Sequence, residues 1–284
     1  MSSQNARSAV LVLHGLAGNV TEMSSLRKRL AREGYHVHVP TLPGHSTHYC
    51  DLKTVRWQDY AEFVDAEFET LAKEYDQVYV AGLCLGALLA LNLAIDKGNR
   101  LAGVIPISTT FYFDGWAVSP LARFLAAFRW TPMYYLYDLP ERHPYGIKNE
   151  RIRTKVLALM AKAGHCHYSK IPFRAFWQMN CLARKVALGL NRIRAPVMAI
   201  HPLEDDVASI RNLDMLEKGI VAPFRKLVLR DSYHIATIDQ EKELVCDAAA
   251  AFFSEIGQGF LASIPMRLSE IEQEPVILLP LVAI

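Results

Sequence analysis

The chain has 284 residues, with 31 Lys and Arg against 29 Asp and Glu, for a net charge of +2. That balance supplies no field for nucleic acid or anionic lipid, so the expected partner is a small neutral molecule, free or carried by another molecule. With 51% hydrophobic and 21% charged residues, the chain has the side chains for a buried core and lacks the composition of a disordered one.

Polar Met1–Ser8 leads directly into a short apolar run, Ala9–His14, that reads as a first strand. No basic region with a long apolar stretch precedes it, so a cytoplasmic location is expected. The five cysteines, Cys50, Cys84, Cys166, Cys181 and Cys246, are odd in number and irregular in spacing, which fits reduced thiols. No window has the length and apolarity of a transmembrane segment. After the first strand come His14-Gly15-Leu16-Ala17-Gly18, a helix near 22–32, a second strand at Tyr35–Val39 and the loop Leu42-Pro43-Gly44-His45. Between Trp57 and Tyr75, Tyr60, Ala61, Val64, Phe68, Leu71 and Tyr75 recur at helical spacing and make one apolar stripe. A strand at Gln77–Ala81, a helix at 84–96 and a strand at Leu101–Ile107 follow; after an interruption come Pro196–His201, a helix near 209–218, Phe224–Leu229 and a helix at 240–254. Short branched-rich strands alternating with helices imply an α/β domain, its parallel sheet covered on both faces.

From about Phe111 to Asn191 the alternation stops and aromatics such as Phe113, Trp116, Phe128, Trp130 and Phe176 accumulate. Residues 111–190 are expected to form a helical cap inserted into a core of residues 1–110 and 191–256, walling a pocket over the strand ends. The same aromatics also suit a layer that merely covers the sheet. Residues 257–284 form a tail ending in a nine-residue apolar run, Val276–Ile284, too short to span a bilayer and expected to pack against self or a subunit.

Chemistry concentrates at Gly82-Leu83-Cys84-Leu85-Gly86, between a predicted strand and a predicted helix. A nucleophile on so sharp a turn needs glycines two residues to either side to relieve crowding, and the turn lifts its side chain over the sheet at a helix N-terminus. Cys84 is the candidate nucleophile. The backbone N–H groups of Leu16, in the loop after the first strand, and of Leu85 are the candidate oxyanion donors. Asp205, in Glu204-Asp205-Asp206-Val207 just past a strand, is the candidate acid, with Asp206 in reserve. His234, following Asp231-Ser232-Tyr233 and the last strand, is the candidate base. Metal ligation is not expected: His165-Cys166-His167 lacks a matching second pair. No cofactor is implied. Trp116 and His45 are candidate substrate contacts, Trp116 suiting a core anchor equally well and His45 suiting a loop-shaping role.

On these motifs the chain, over roughly residues 8–255, resembles the α/β-hydrolase superfamily and within it the monoacylglycerol-lipase and carboxylesterase-like group, in which the nucleophile is normally serine. Dienelactone hydrolases and polyhydroxyalkanoate synthases are similar in placing cysteine at the elbow. The resemblance implies the α/β-hydrolase fold and acyl transfer through a Cys-His-Asp triad.

Cysteine alters the expected substrate. Attack of a thiolate on an oxygen ester must raise acyl-transfer potential, whereas attack on a thioester is close to an even exchange. A thioester on coenzyme A or a carrier protein, or an activated lactone, is the better match. Three readings stay open: an esterase or thioesterase, an acyltransferase or cyclase with an alcohol or amine acceptor, and a silent receptor on a hydrolase frame.

Overall fold

A computed structural model describes residues 7–45, 49–118, 131, 133–140, 142–162 and 170–259. In chain order these form β1 (Ser8–Leu13), α1 (Ser24–Arg32), β2 (His36–His38), α2 (Tyr49–Leu52), α3 (Trp57–Glu74), β3 (Gln77–Leu83), α4 (Leu85–Lys97) and β4 (Gly103–Ile107). There follow α5 (Met133–Leu136), β5 (Asp138–Pro140), α6 (Glu150–Lys162), β6 (Lys170–Pro172), α7 (Phe173–Gly189), β7 (Val197–Pro202), α8 (Arg211–Gly219), β8 (Phe224–Leu229) and α9 (Lys242–Gly257).

Six strands form one sheet in the order β2-β1-β3-β4-β7-β8, every pairing parallel. In β1, β3 and β4 consecutive residues are buried, whichever face they point to. Burial of both parities requires helices on both sides, which explains why these strands read as apolar runs rather than alternating ones. The edge strands β2 and β8 are only partly buried. Helix α4 is buried from Leu85 to Ile95 and, Asn92 apart, apolar on every side over that span, as expected of a helix enclosed by other elements. It packs on β3 and β4 and is covered by α7 and α3, while α1 packs on α9.

Between β4 and β7 the described residues contain α5, α6 and α7 and a two-stranded antiparallel sheet of β5 and β6. Met179, Leu182, Ala183 and Val186 of α7 join the main core, so that helix also forms part of the layer over α4. His165-Cys166-His167, Phe128, Trp130 and the tail from 260 onward lie outside the described residues. No described helix is long and apolar enough to cross a membrane.

Chain direction brings the carboxyl ends of β1, β3, β4, β7 and β8 to one edge, and β1 marks a switch point, with β2 on one side and β3 on the other. Crevices at such ends are where open parallel sheets hold ligands.

Candidate active site

Cys84 occupies the turn between β3 and α4 with φ 55° and ψ −108°, a conformation that costs a non-glycine residue roughly 1–3 kcal/mol. Its N–H donates to the Ile107 carbonyl at 3.0 Å. A Cβ on Gly82 would overlap the Gly86 carbonyl oxygen, and one on Gly86 would overlap that of Leu13. The glycine spacing is therefore a steric requirement of the turn. Cys84 is 8% exposed and lines a cavity. Its sulfur lies 3.6 Å from Thr110 Oγ1. That hydroxyl donates to the Ser108 carbonyl at 3.1 Å, so toward sulfur it can only accept.

Asp205 and Asp206, just beyond β7, have separate tasks. Asp205 carboxylate oxygens lie 3.0 and 2.9 Å from His234 Nδ1, and Oδ1 also accepts the N–H groups of Val207 and Ala208, each at 2.8 Å. Burial would raise its pKa, but His234, His201 and the Ala208 amide outweigh burial and hold it below the usual carboxylate range. Asp206 instead accepts the backbone N–H groups of Gly146 at 3.0 Å and His234 at 3.3 Å; burial leaves its pKa raised.

His234 is buried, and its carbonyl accepts the Ser108 hydroxyl at 2.7 Å. Burial alone would lower its pKa, yet Asp205 and then Cys84 favour the imidazolium enough to raise it well above the ordinary value. With Nδ1 turned to Asp205, Nε2 is buried with no hydrogen-bond partner among the described residues. Such an atom is costly unless something arrives to use it.

The loop after β1 is held by two neutral histidines. His14 donates through Nδ1 to the Gly15 carbonyl at 2.9 Å and accepts the Leu42 N–H at 3.1 Å. His45 donates to the Pro43 carbonyl at 3.0 Å and accepts the Ala17 N–H at 3.1 Å. Burial lowers their pKa values to about 4 and about 3, which keeps each an acceptor near neutral pH. The Leu16 and Leu85 amides have no acceptor among the described residues; Leu85 is the first residue of α4, where N–H groups lack helical partners.

A cavity of about 470 Å³ joins these groups, lined by Leu16, Glu22, Cys84 and His234 on the core side and by Phe113, Leu139, Ile147, Val156, Ile171 and Phe176 from the segment between β4 and β7. Two sequence candidates lie away from it. Trp116 is 58% exposed, donates to the Glu204 carbonyl at 3.0 Å and meets Tyr233 edge-on. His45 is spent on the loop just described. Sequence reasoning missed Thr110 and Glu22. The polar run Ser108-Thr109-Thr110 directly after a buried strand was the available signal for the first.

Residues 4–241 match the family model described as Serine aminopeptidase, S33. The thermostable monoacylglycerol lipase of Bacillus sp. (strain H-257) is 27% identical over 254 residues, 89% of this chain and 93% of that one. A solved metagenome-derived lipolytic enzyme is 28% identical with a TM-score of 0.75, covering 88% of this chain and 95% of its own. A soluble variant of Saccharomyces cerevisiae monoglyceride lipase, at 14% identity and TM-score 0.76 over 89% of this chain and 88% of that one, shares the fold.

Proposed function

The chain belongs to the serine aminopeptidase S33 family and has the α/β-hydrolase fold, and we propose that it cleaves carboxylic esters and thioesters through an acyl-cysteine formed on Cys84. The observation that carries this reading is the buried His234 Nε2, unpartnered among the described residues, beside the elbow cysteine while Nδ1 is fixed by Asp205. The family's description names a serine enzyme; this chain carries cysteine on the turn.

In the first half-reaction His234 Nε2 takes the thiol proton as sulfur forms a bond to the acyl carbon. The carbonyl oxygen becomes an oxyanion facing the Leu16 and Leu85 amides. Collapse breaks the bond to the leaving alcohol or thiol, which receives the proton from the imidazolium. In the second half-reaction His234 deprotonates a water that attacks the thioester, and the sulfur leaves and recovers its proton. Asp205 keeps the imidazole in the tautomer that exposes Nε2 and stabilises its cationic form. Asp206 positions the loop.

The described residues within 111–190 act as a cap whose side chains form the apolar wall for an acyl chain. Lipase relatives bring carboxylic esters into the substrate class; the cysteine shifts preference toward thioesters, whose energy the acyl-enzyme matches.

The test is a set of kcat/KM values for paired acyl esters and thioesters of equal chain length, measured on wild type and Cys84→Ala without an added acceptor. Preference for the thioester, with turnover lost in Cys84→Ala, is expected. Turnover surviving in Cys84→Ala contradicts the proposal, and product appearing only when an alcohol or amine is supplied replaces hydrolysis with acyl transfer.

A further inference from the structure

Among the titratable groups lining the cavity that the reaction above leaves unused, one carboxyl lies beside the nucleophile. Glu22 sits on the 3-10 turn Val20–Met23 and lines the cavity with Cys84 and His234. Its Oε2 accepts the Gly15 N–H at 3.3 Å. A carbon added at Gly15 would lie 3.6 Å from both Glu22 Oε2 and Cys84 Cβ, so carboxyl and nucleophile flank the same glycine, one residue before the Leu16 amide. A Cβ on Gly18 would overlap the Glu22 carboxyl; the loop keeps glycine where the acid folds back across it.

We propose that Glu22, in its carboxylic acid form, is a further catalytic residue that donates a third hydrogen bond to the oxyanion beside the Leu16 and Leu85 amides. The proposal rests on the Cys84 reading. Oε2 accepts the Gly15 N–H, and the hydrogen of the acid form stays on Glu22 throughout.

Burial favours the acid form, raising the pKa to about 7 against the opposing pulls of the Gly15 amide, His234 and the Asn19 amide. The other ionisable groups around the loop and cavity are Cys84 and His234, Asp205 and Asp206 bonded to His234, the neutral His14 and His45, and Tyr137, Arg142 and Tyr145 on the cavity wall. Above neutrality the lost donor becomes a negative charge where the reaction develops another.

The experiment is the pH profile of kcat/KM from pH 5.5 to 9 on one acyl thioester, using full-length wild type, Glu22→Gln, Glu22→Ala and Cys84→Ala. A glutamine amide donates at every pH. Wild type is therefore expected to lose roughly 100-fold relative to Glu22→Gln between pH 6 and 9, as the acid form is titrated away, and Glu22→Ala to run roughly 100-fold below Glu22→Gln at pH 6. Superimposable profiles for wild type and Glu22→Gln, or full activity in Glu22→Ala, overturn the proposal. If Glu22→Ala does not fold, the comparison of wild type with Glu22→Gln still decides it. Activity remaining in Cys84→Ala is the separate outcome that removes the nucleophile assignment itself.

Discussion

Asp205 grips His234 with both carboxylate oxygens, 3.0 and 2.9 Å from Nδ1, while two backbone amides fix the same carboxylate from behind. The imidazole is thereby fixed in one orientation, and Nε2 is the ring nitrogen left without a hydrogen-bond partner among the described residues.

Replacing Asp205 with Asn keeps the shape but removes the charge that selects the tautomer. A kcat loss on the order of 10³-fold or more is expected. Asp206→Asn, which disturbs backbone contacts to Gly146 and His234 and removes a charge near the imidazole but leaves the Nδ1 partner in place, is expected to cost about tenfold or less, with altered thermal stability. Steady-state kinetics on the two variants, alongside circular dichroism, separate the roles.

Gly86→Ala places a methyl group against the Leu13 and His14 carbonyls, where backbone cannot yield cheaply. The expected cost is about 3 kcal/mol of stability, read as the shift in denaturant midpoint. Gly34→Ala serves as contrast, since a Cβ there meets nothing within 4 Å, although its φ of +90° leaves a backbone penalty.

Glu22 also links stability to pH. Its folded pKa lies near 7, above the ordinary 4.5, so the folded state prefers the proton. That contribution is fully present below about pH 4.5 and is lost as pH rises through 7. Relative to Glu22→Gln, wild type is expected to lose about 2 kcal/mol of unfolding free energy between pH 5 and 8.5, measurable by chemical denaturation at each pH.

Much of this was legible because the requirements are local. The glycine spacing around Cys84 encodes a steric need confined to five residues, and the inner strands β1, β3, β4 and β7 announce themselves as apolar runs because both faces are covered. Strands β5 and β6 escaped notice: each has three residues and ends in proline, too little to show alternation. The helix expected from residue 22 begins at Ser24, because Asn19 accepts the Thr21 N–H at 2.8 Å and starts a 3-10 turn. That turn directs Glu22 back to Gly15, across a reversal that includes Ala17 at φ 59°. No periodicity records such a reversal. The choice between Asp205 and Asp206 likewise depends on side-chain direction at a turn, which adjacent identical residues cannot reveal.

Cys84→Ser is expected to turn over thioesters at least tenfold more slowly than wild type, since a hydroxyl needs stronger base assistance than a thiol. Stopped-flow release of a reporter thiol measures the acylation step directly. A serine variant as fast as wild type on thioesters would remove the energetic argument for that substrate class.

The most direct measurement is intact-protein mass spectrometry after brief incubation with a panel of acyl thioesters and esters, comparing wild type with Cys84→Ala. A mass increase equal to the acyl group, present in wild type, mapped to the peptide containing Cys84 and absent from the variant, is the expected result. An equal adduct on Cys84→Ala, or acylation mapped to another residue while turnover continues, would contradict the assignment of Cys84 as nucleophile.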